Sequence, residues 1–194
     1  MKALSLFVLG IHSLVASSLF AQQSHETAQD TDAFLQTEDV QHSTAFSWFS
    51  LTENFWNRSR PGGVFVDTNF YLIGGELDRN VHGVARAKTA EIFDGATGTW
   101  STSMVEMTVG VSNIMGSVAA VGDRIYVFGG YSGLPEHVDK IQVYDISADQ
   151  WGVHTTLMPE ALYGCLARNV GNGKIFVCGG TTANGATDSA YVFD

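Results

Sequence analysis

Three apolar runs in this chain stop at a glycine pair: YLIGG at Gly74-Gly75, YVFGG at Gly129-Gly130 and FVCGG at Gly179-Gly180. Each is followed by an aromatic-Asp pair, Phe93-Asp94, Tyr144-Asp145 and Phe193-Asp194. A tryptophan comes after the first two pairs, at Trp100 and Trp151, and Trp48 precedes Trp100 by 52 residues. Gly74 to Gly129 is 55 residues and Gly129 to Gly179 is 50, while Asp94 to Asp145 is 51 and Asp145 to Asp194 is 49. A unit of this length can bury its faces only against a neighbouring copy, so the chain is constrained to an array of stacked repeats.

Within each unit, β-branched and aromatic residues run for five or six positions and end at glycine, the pattern of a buried strand closed by a turn. Gly129-Gly130 and its counterparts lack Cβ atoms, so they can take positive φ and let neighbouring backbones come close. Trp100 and Trp151 each fall six residues after an aspartate, across DGATGT and DISADQ, which reads as a hairpin whose tryptophan lies on an outer strand. There the indole would fill the wedge between adjacent units. Strands are predicted at Gly63–Asp67, Phe70–Gly75, Thr89–Asp94 and Trp100–Ser103, and again at Gly116–Val121, Arg124–Gly130, Val138–Asp145 and Gln150–His154. A third set covers Tyr163–Val170, Lys174–Gly179 and Ala190–Asp194 and stops one strand short. Gly122-Asp123 and Gly171-Asn172-Gly173 supply the hairpin turns.

The double glycines and spaced tryptophans resemble the kelch-repeat β-propeller family, in the galactose oxidase and kelch-like superfamily, over roughly Phe46 to Asp194. The resemblance implies an all-β fold, a partial kelch-type propeller of about three four-stranded antiparallel blades with the last incomplete. The blades fall at 61–108, 109–158 and 159–194, after a lead-in strand region at 44–60. The chain departs from the family pattern after the tryptophans: Met158-Pro159 retains the expected Pro, Leu162 or Tyr163 stands where an Arg is expected, and the middle repeat has neither. Propellers close with about four to eight blades, so the chain is expected to be a fragment of a longer propeller or to self-associate through open blade faces.

The ends carry different signals. Lys2, the apolar run Ala3–Val15 and the small residue Ala21 before Gln22-Gln23 read as a secretory signal peptide over 1–21. An uncleaved anchor is the competing reading, weakened by His12, Ser13, Ser17 and Ser18. From Gln22 to Asn57 the chain holds Glu26, Asp30, Asp32, Glu38, Asp39 and Glu53 but no Lys or Arg, and 22–43 is expected to be an acidic flexible linker. A formal charge of −10, one unit more negative once Lys2 is removed, argues against nucleic-acid binding and against attraction to anionic membranes. Asn57-Arg58-Ser59 fits a glycosylation sequon at Asn57.

No residue spacing points to catalysis. The histidines at 12, 25, 42, 82, 137 and 154 fall in no metal spacing, and Cys165 and Cys178 form no CxxC. With a turn on Asn172-Gly173, Cys178 is expected to face Ala167 with Cys165 one diagonal away, which favours buried free thiols over a disulfide. No cofactor and no metal are expected.

Loops between second and third strands are the better candidates, because they gather on one face of a propeller. The first, Glu76–Lys88, offers Arg79, His82 and Arg86; the second, Tyr131–Lys140, offers Tyr131, Glu136 and His137; the third, Thr181–Ser189, is short and nearly neutral. These six residues are the candidate binding set, against the plainer reading of an ordinary solvated face. The expected function is a secreted binding module for a protein or glycan. The resemblance also admits an enzyme of galactose oxidase or sialic acid mutarotase type, and a truncated product without activity of its own is a third class. Finally, Thr44–Leu51 around Trp48 reads as an outer strand, expected to lie far from Ala190–Asp194, since pairing there would close a ring of only three blades.

Overall fold

The computed structural model describes residues 50–51, 53–54, 56–77, 85–103, 105–133 and 137–194. The expected signal peptide and acidic linker and the strand expected around Trp48 fall outside the described residues or, at its end, barely within them, and Arg79, His82 and Glu136 also lie outside. Fifteen strands follow in order: β1 (Arg58–Ser59), β2 (Gly62–Val66), β3 (Asn69–Ile73), β4 (Glu76–Leu77), β5 (Ala90–Asp94), β6 (Thr99–Thr102), β7 (Val118–Val121), β8 (Arg124–Phe128), β9 (Ile141–Asp145), β10 (Gln150–Val153), β11 (Leu166–Gly171), β12 (Lys174–Cys178), β13 (Thr181–Thr182), β14 (Gly185–Ala186) and β15 (Ala190–Phe193). The described residues contain no helix.

They form three antiparallel blades. The first runs β2-β3-β5-β6, the second β7-β8-β9-β10 and the third β11-β12-β15, with β1 paired to β4 and β13 to β14 as small ladders. This is a partial propeller of kelch type. The inner hairpins turn tightly on Asp67-Thr68, Gly122-Asp123 and Asn172-Gly173, where Asp67 (φ +52°), Gly122 (φ +57°) and Asn172 (φ +52°) take the left-handed conformation such two-residue turns require. The outer turns are closed by side chains. Asp94 Oδ1 accepts from the amides of Ala96 (2.8 Å) and Thr97 (3.3 Å), and Asp145 Oδ1 from the Ala148 amide (3.0 Å) and the Ser147 hydroxyl (2.9 Å). These bonds hold both carboxyls below their ordinary pKa.

Strand alternation divides each blade between two cores. On β8, Ile125 and Val127 enter the core shared with the first blade, while Phe128 enters the core shared with the third and Tyr126 packs against it. Burying each such aliphatic side chain contributes about 1.5–3 kcal/mol. The connections between blades fill the same cores with a repeated triplet: Met107, Val111 and Ile114 in the first, Met158, Leu162 and Cys165 in the second, each pair 51 residues apart. Cys165 therefore occupies an isoleucine position. It is 1 % exposed, its thiol lies 3.3 Å from Ser117 Oγ, and burial pushes its pKa up.

The predicted register of the third hairpin needs correction. Cys178 faces Leu166 rather than Ala167, which pairs with Val177. Asn169 Oδ1 accepts from the Gly171 amide at 2.8 Å, and the ladder slips by one residue between Asn169 and Gly171, forming a bulge above a correctly placed turn. One residue of slip inverts the faces. Cys165 joins the core while Cys178 shares the opposite face with exposed Leu166, and both thiols are free.

The glycine pairs mark where blades meet. Gly74 (φ +61°) and Gly129 (φ +64°) end β3 and β8 so close to the next connection that an added Cβ would meet the Val111 carbonyl at 2.5 Å in the first case and run into the Leu162 carbonyl in the second. The second glycines donate to those same carbonyls, Gly75 to Val111 at 2.8 Å and Gly130 to Leu162 at 2.9 Å. Trp151 packs against the first core with its ring centroid 5.0 Å from Tyr144, while Trp100 lies 5.2 Å from Phe93 of its own blade.

Candidate functional site

The described parts of the loop from Tyr131 to Lys140, the described end of the loop before β5, and the connection at Thr108–Gly110 enclose a cleft of about 430 Å³. Arg86, Lys88, His137, Asp139 and Lys140 line it. Three cations against one carboxylate give the cleft a basic wall in a chain whose formal charge is −10. Lys88 is partly offset by Glu106 at 3.9 Å, a pair exposed on both sides and so weakly coupled.

Backbone pairing fixes this wall. Tyr131 exchanges hydrogen bonds with Ser112, each 2.9 Å, and forms a bridge with His137, so one residue ties the loop to the preceding connection. Arg86 forms a bridge with Glu76 and lays its guanidinium over the Tyr131 ring at 4.8 Å. Such a contact stabilises by about 0.5–1 kcal/mol at a partly exposed site. Tyr163 completes the cluster, 5.6 Å edge-on from Tyr131 and 5.1 Å from His137. Arg86 Nε and His137 Nε2 are buried without a hydrogen-bond partner, which leaves polar capacity unspent beside the cleft.

Of the predicted binding residues, Arg86, Tyr131 and His137 come together here. Arg79, His82 and Glu136 lie outside the described residues. Asn57 is exposed beside Arg58, whose side chain is 2 % exposed and paired with fully buried Glu91. Tyr163 and the Thr108–Gly110 wall were missed by sequence reasoning. The 51-residue recurrence of MTVGVSNI in MPEALYGC, which sets both connections against the loop face, is the signal that reveals them. Among the described residues no group of three or more His, Cys, Asp or Glu is placed to hold a metal, and neither cysteine lines the cleft.

The Kelch motif model matches residues 115–151, which cover the first three strands of the second blade and the start of the fourth. The chain carries kelch repeats. It is 31 % identical over 153 residues to Kelch-like protein 25 of Xenopus tropicalis, covering 72 % of this chain and 25 % of that protein. Kelch repeat-containing protein kel-10 of Caenorhabditis elegans is 32 % identical over 137 residues, covering 64 % of this chain and 22 % of the relative. Kelch-like protein 35 of Mus musculus is 25 % identical over 134 residues, with 69 % and 22 % covered. The chain thus spans about a quarter of the length of the curated relatives it matches. Those kelch alignments extend well beyond the matched blade, in keeping with three copies of one blade plan.

Proposed function

We propose that this kelch-repeat chain is a protein-recognition module whose contact surface is the basic cleft between the Tyr131–Lys140 loop and Arg86. The observation that carries this reading is the convergence of Arg86, Lys88, His137 and Lys140 on one cleft of an otherwise acidic molecule. A concave wall of cations beside aromatic rings suits a partner segment bearing carboxylates, held by charge-assisted hydrogen bonds. The side chains are positioned by loops on a rigid β scaffold, the arrangement by which binding surfaces are commonly displayed. Export, with cleavage near Ala21, is part of the same proposal and rests on the Lys2, apolar and Ala21 pattern; N-terminal sequencing of secreted material tests it.

The deciding experiment is affinity capture from the native medium, followed by titration of the captured protein. Arg86→Ala and Tyr131→Ala are expected to weaken binding by about tenfold or more each, a loss of roughly 1.4 kcal/mol. Binding should also fall as salt rises. Arg124→Ala, on the inner hairpin away from the cleft, should leave affinity unchanged. A glycan array run in parallel separates a carbohydrate ligand from a protein. Equal binding by all three variants would remove the cleft from consideration.

A further inference from the structure

The chain holds 20 acidic residues against 10 Lys and Arg, so a cation without a carboxylate partner is the exception. Among the described residues, five of the eight Lys and Arg side chains form an ion pair with a carboxylate. Arg86, Lys140 and Arg168 do not. The first two line the same cleft, whereas Arg168 Nη1 turns back on the Ala167 carbonyl at 2.7 Å.

The Arg86 guanidinium is also held in place. An added Cβ on Gly133 (φ +101°) would meet Nη1 at 2.9 Å, Cζ at 3.3 Å and Nη2 at 3.5 Å. Distances so nearly equal set the glycine over the flat face of the group, not at its edge, and only a residue without a side chain fits there. The Tyr131 ring centroid lies 4.8 Å from Cζ. Neither contact takes up a hydrogen-bond donor, and Nε has no partner. A guanidinium fixed by its neighbours but with its N–H groups unspent is a ready-made fork, which grips two oxygens of one anion at once.

Charge then selects among anions. Arg86, Lys88 and Lys140 against Asp139 leave the cleft two positive charges in excess, three minus one. A phosphate monoester carries a charge of about −1.5 to −2 at pH 7 and three strong acceptor oxygens. A single carboxylate supplies one charge and two oxygens, and leaves half of the excess unmatched.

We propose that the anion this cleft takes is a phosphate monoester on a side chain of the partner protein, gripped by the Arg86 fork with Lys140 as a second charge. Gly133 is the positioning residue for that fork. The proposal rests on the cleft being the contact surface, and it narrows the partner to a phosphorylated one.

Phosphorus NMR titration of the full chain at fixed ionic strength tests this with three probes. They are a glycine-serine peptide bearing one phosphoserine, inorganic phosphate, and, as a competitor, the same peptide with glutamate at the phosphoserine position. The phosphopeptide is expected to bind more tightly than inorganic phosphate and about tenfold or more tighter than the glutamate peptide. Arg86→Lys keeps the charge but loses the fork, and should weaken phosphopeptide binding by about tenfold or more. Gly133→Ala should weaken it to a similar degree by pushing the guanidinium aside, with circular dichroism unchanged. Arg168→Ala, on β11 and outside the cleft, should have no effect.

Equal binding of the glutamate peptide would overturn the phosphate assignment and leave a carboxylate site. Equal binding of inorganic phosphate would mark a site for a small free anion and overturn the partner-borne ester. A phosphopeptide that does not bind, or that binds the Arg86→Lys chain undiminished, would also sink the proposal. Capture of a partner that Arg86→Ala abolishes is compatible with each of these failures, so the recognition reading stands or falls on its own experiment.

Discussion

Gly129 and Gly179 share a left-handed φ but not an environment, and the difference separates conformational strain from steric conflict. Gly179→Ala meets open space and should cost about 1–2 kcal/mol, the penalty of a Cβ in that region. Gly129→Ala adds a backbone collision with the Leu162 carbonyl and should cost clearly more. Urea titration of the two variants at a fixed protein concentration compares them directly; equal losses would show that the close approach carries no energy. A second residue-scale test concerns Arg58 and Glu91, a buried pair in which Arg58 Nη1 also donates to the Gly74 carbonyl at 2.7 Å. Burial lowers the Arg58 pKa while Glu91 opposes the shift. Glu91→Ala should destabilise by about 3–5 kcal/mol, because it strands a buried cation, whereas Arg58→Met with Glu91→Leu should cost much less. Urea midpoints of the single and double variants decide it.

At the scale of the element, the outer hairpins are fastened by ionised carboxylates and should respond to acid. The folded-state pKa values of Asp94 and Asp145 are depressed, so their contribution is present above the unfolded carboxylate pKa and is lost as pH falls through the lower folded values. Stability measured from pH 7 to pH 2 should therefore drop along an acid limb that Asp94→Asn with Asp145→Asn makes shallower; an unaltered limb would assign the acid response to other groups. These hairpins were legible in the sequence because the turn residues carry their own geometry, and so were all eleven blade strands to within about three residues at either end. What escaped was decided by side chains acting away from the turns. The bulge above Asn172-Gly173 depends on Asn169 folding back on the Gly171 amide, and no apolar alternation records that. The small β1–β4 and β13–β14 ladders are two residues deep, too short to show periodicity. At the candidate site, the loop residues Arg86, Tyr131 and His137 were singled out from charge and position, while Tyr163 was hidden because its contacts lie 26 and 32 residues back along the chain.

At the scale of the whole molecule, the described residues enclose the second blade on both faces, by the two cores, and the first and third blades on one each. Neighbour coupling in repeat arrays makes the enclosed unit the last to open. Hydrogen exchange should find the slowest amides in β7–β9, with β6 and β15 exchanging earlier. Uniform protection across the blades would mean that the repeats open as one unit.

The segments that lead into the three blades have a consequence for how such a chain can change over generations. Each is secured to its own sheet at the same strand position, but by a different chemistry: Glu91 holds Arg58, Gln142 Oε1 and Nε2 clasp the Val109 amide and carbonyl at 2.8 and 2.9 Å, and Tyr191 donates to Glu160 at 2.9 Å. The fastened residues, 58, 109 and 160, lie 51 apart. Tandem copies of a gene segment invite misaligned recombination, which joins the front of one copy to the back of another. In this chain such a crossover would set Arg58 against Gln142 or Val109 against Glu91, leaving a cation without its counter-charge or a carboxylate against a carbonyl. The blades share one plan yet are individually addressed, and an out-of-order splice carries its own folding penalty.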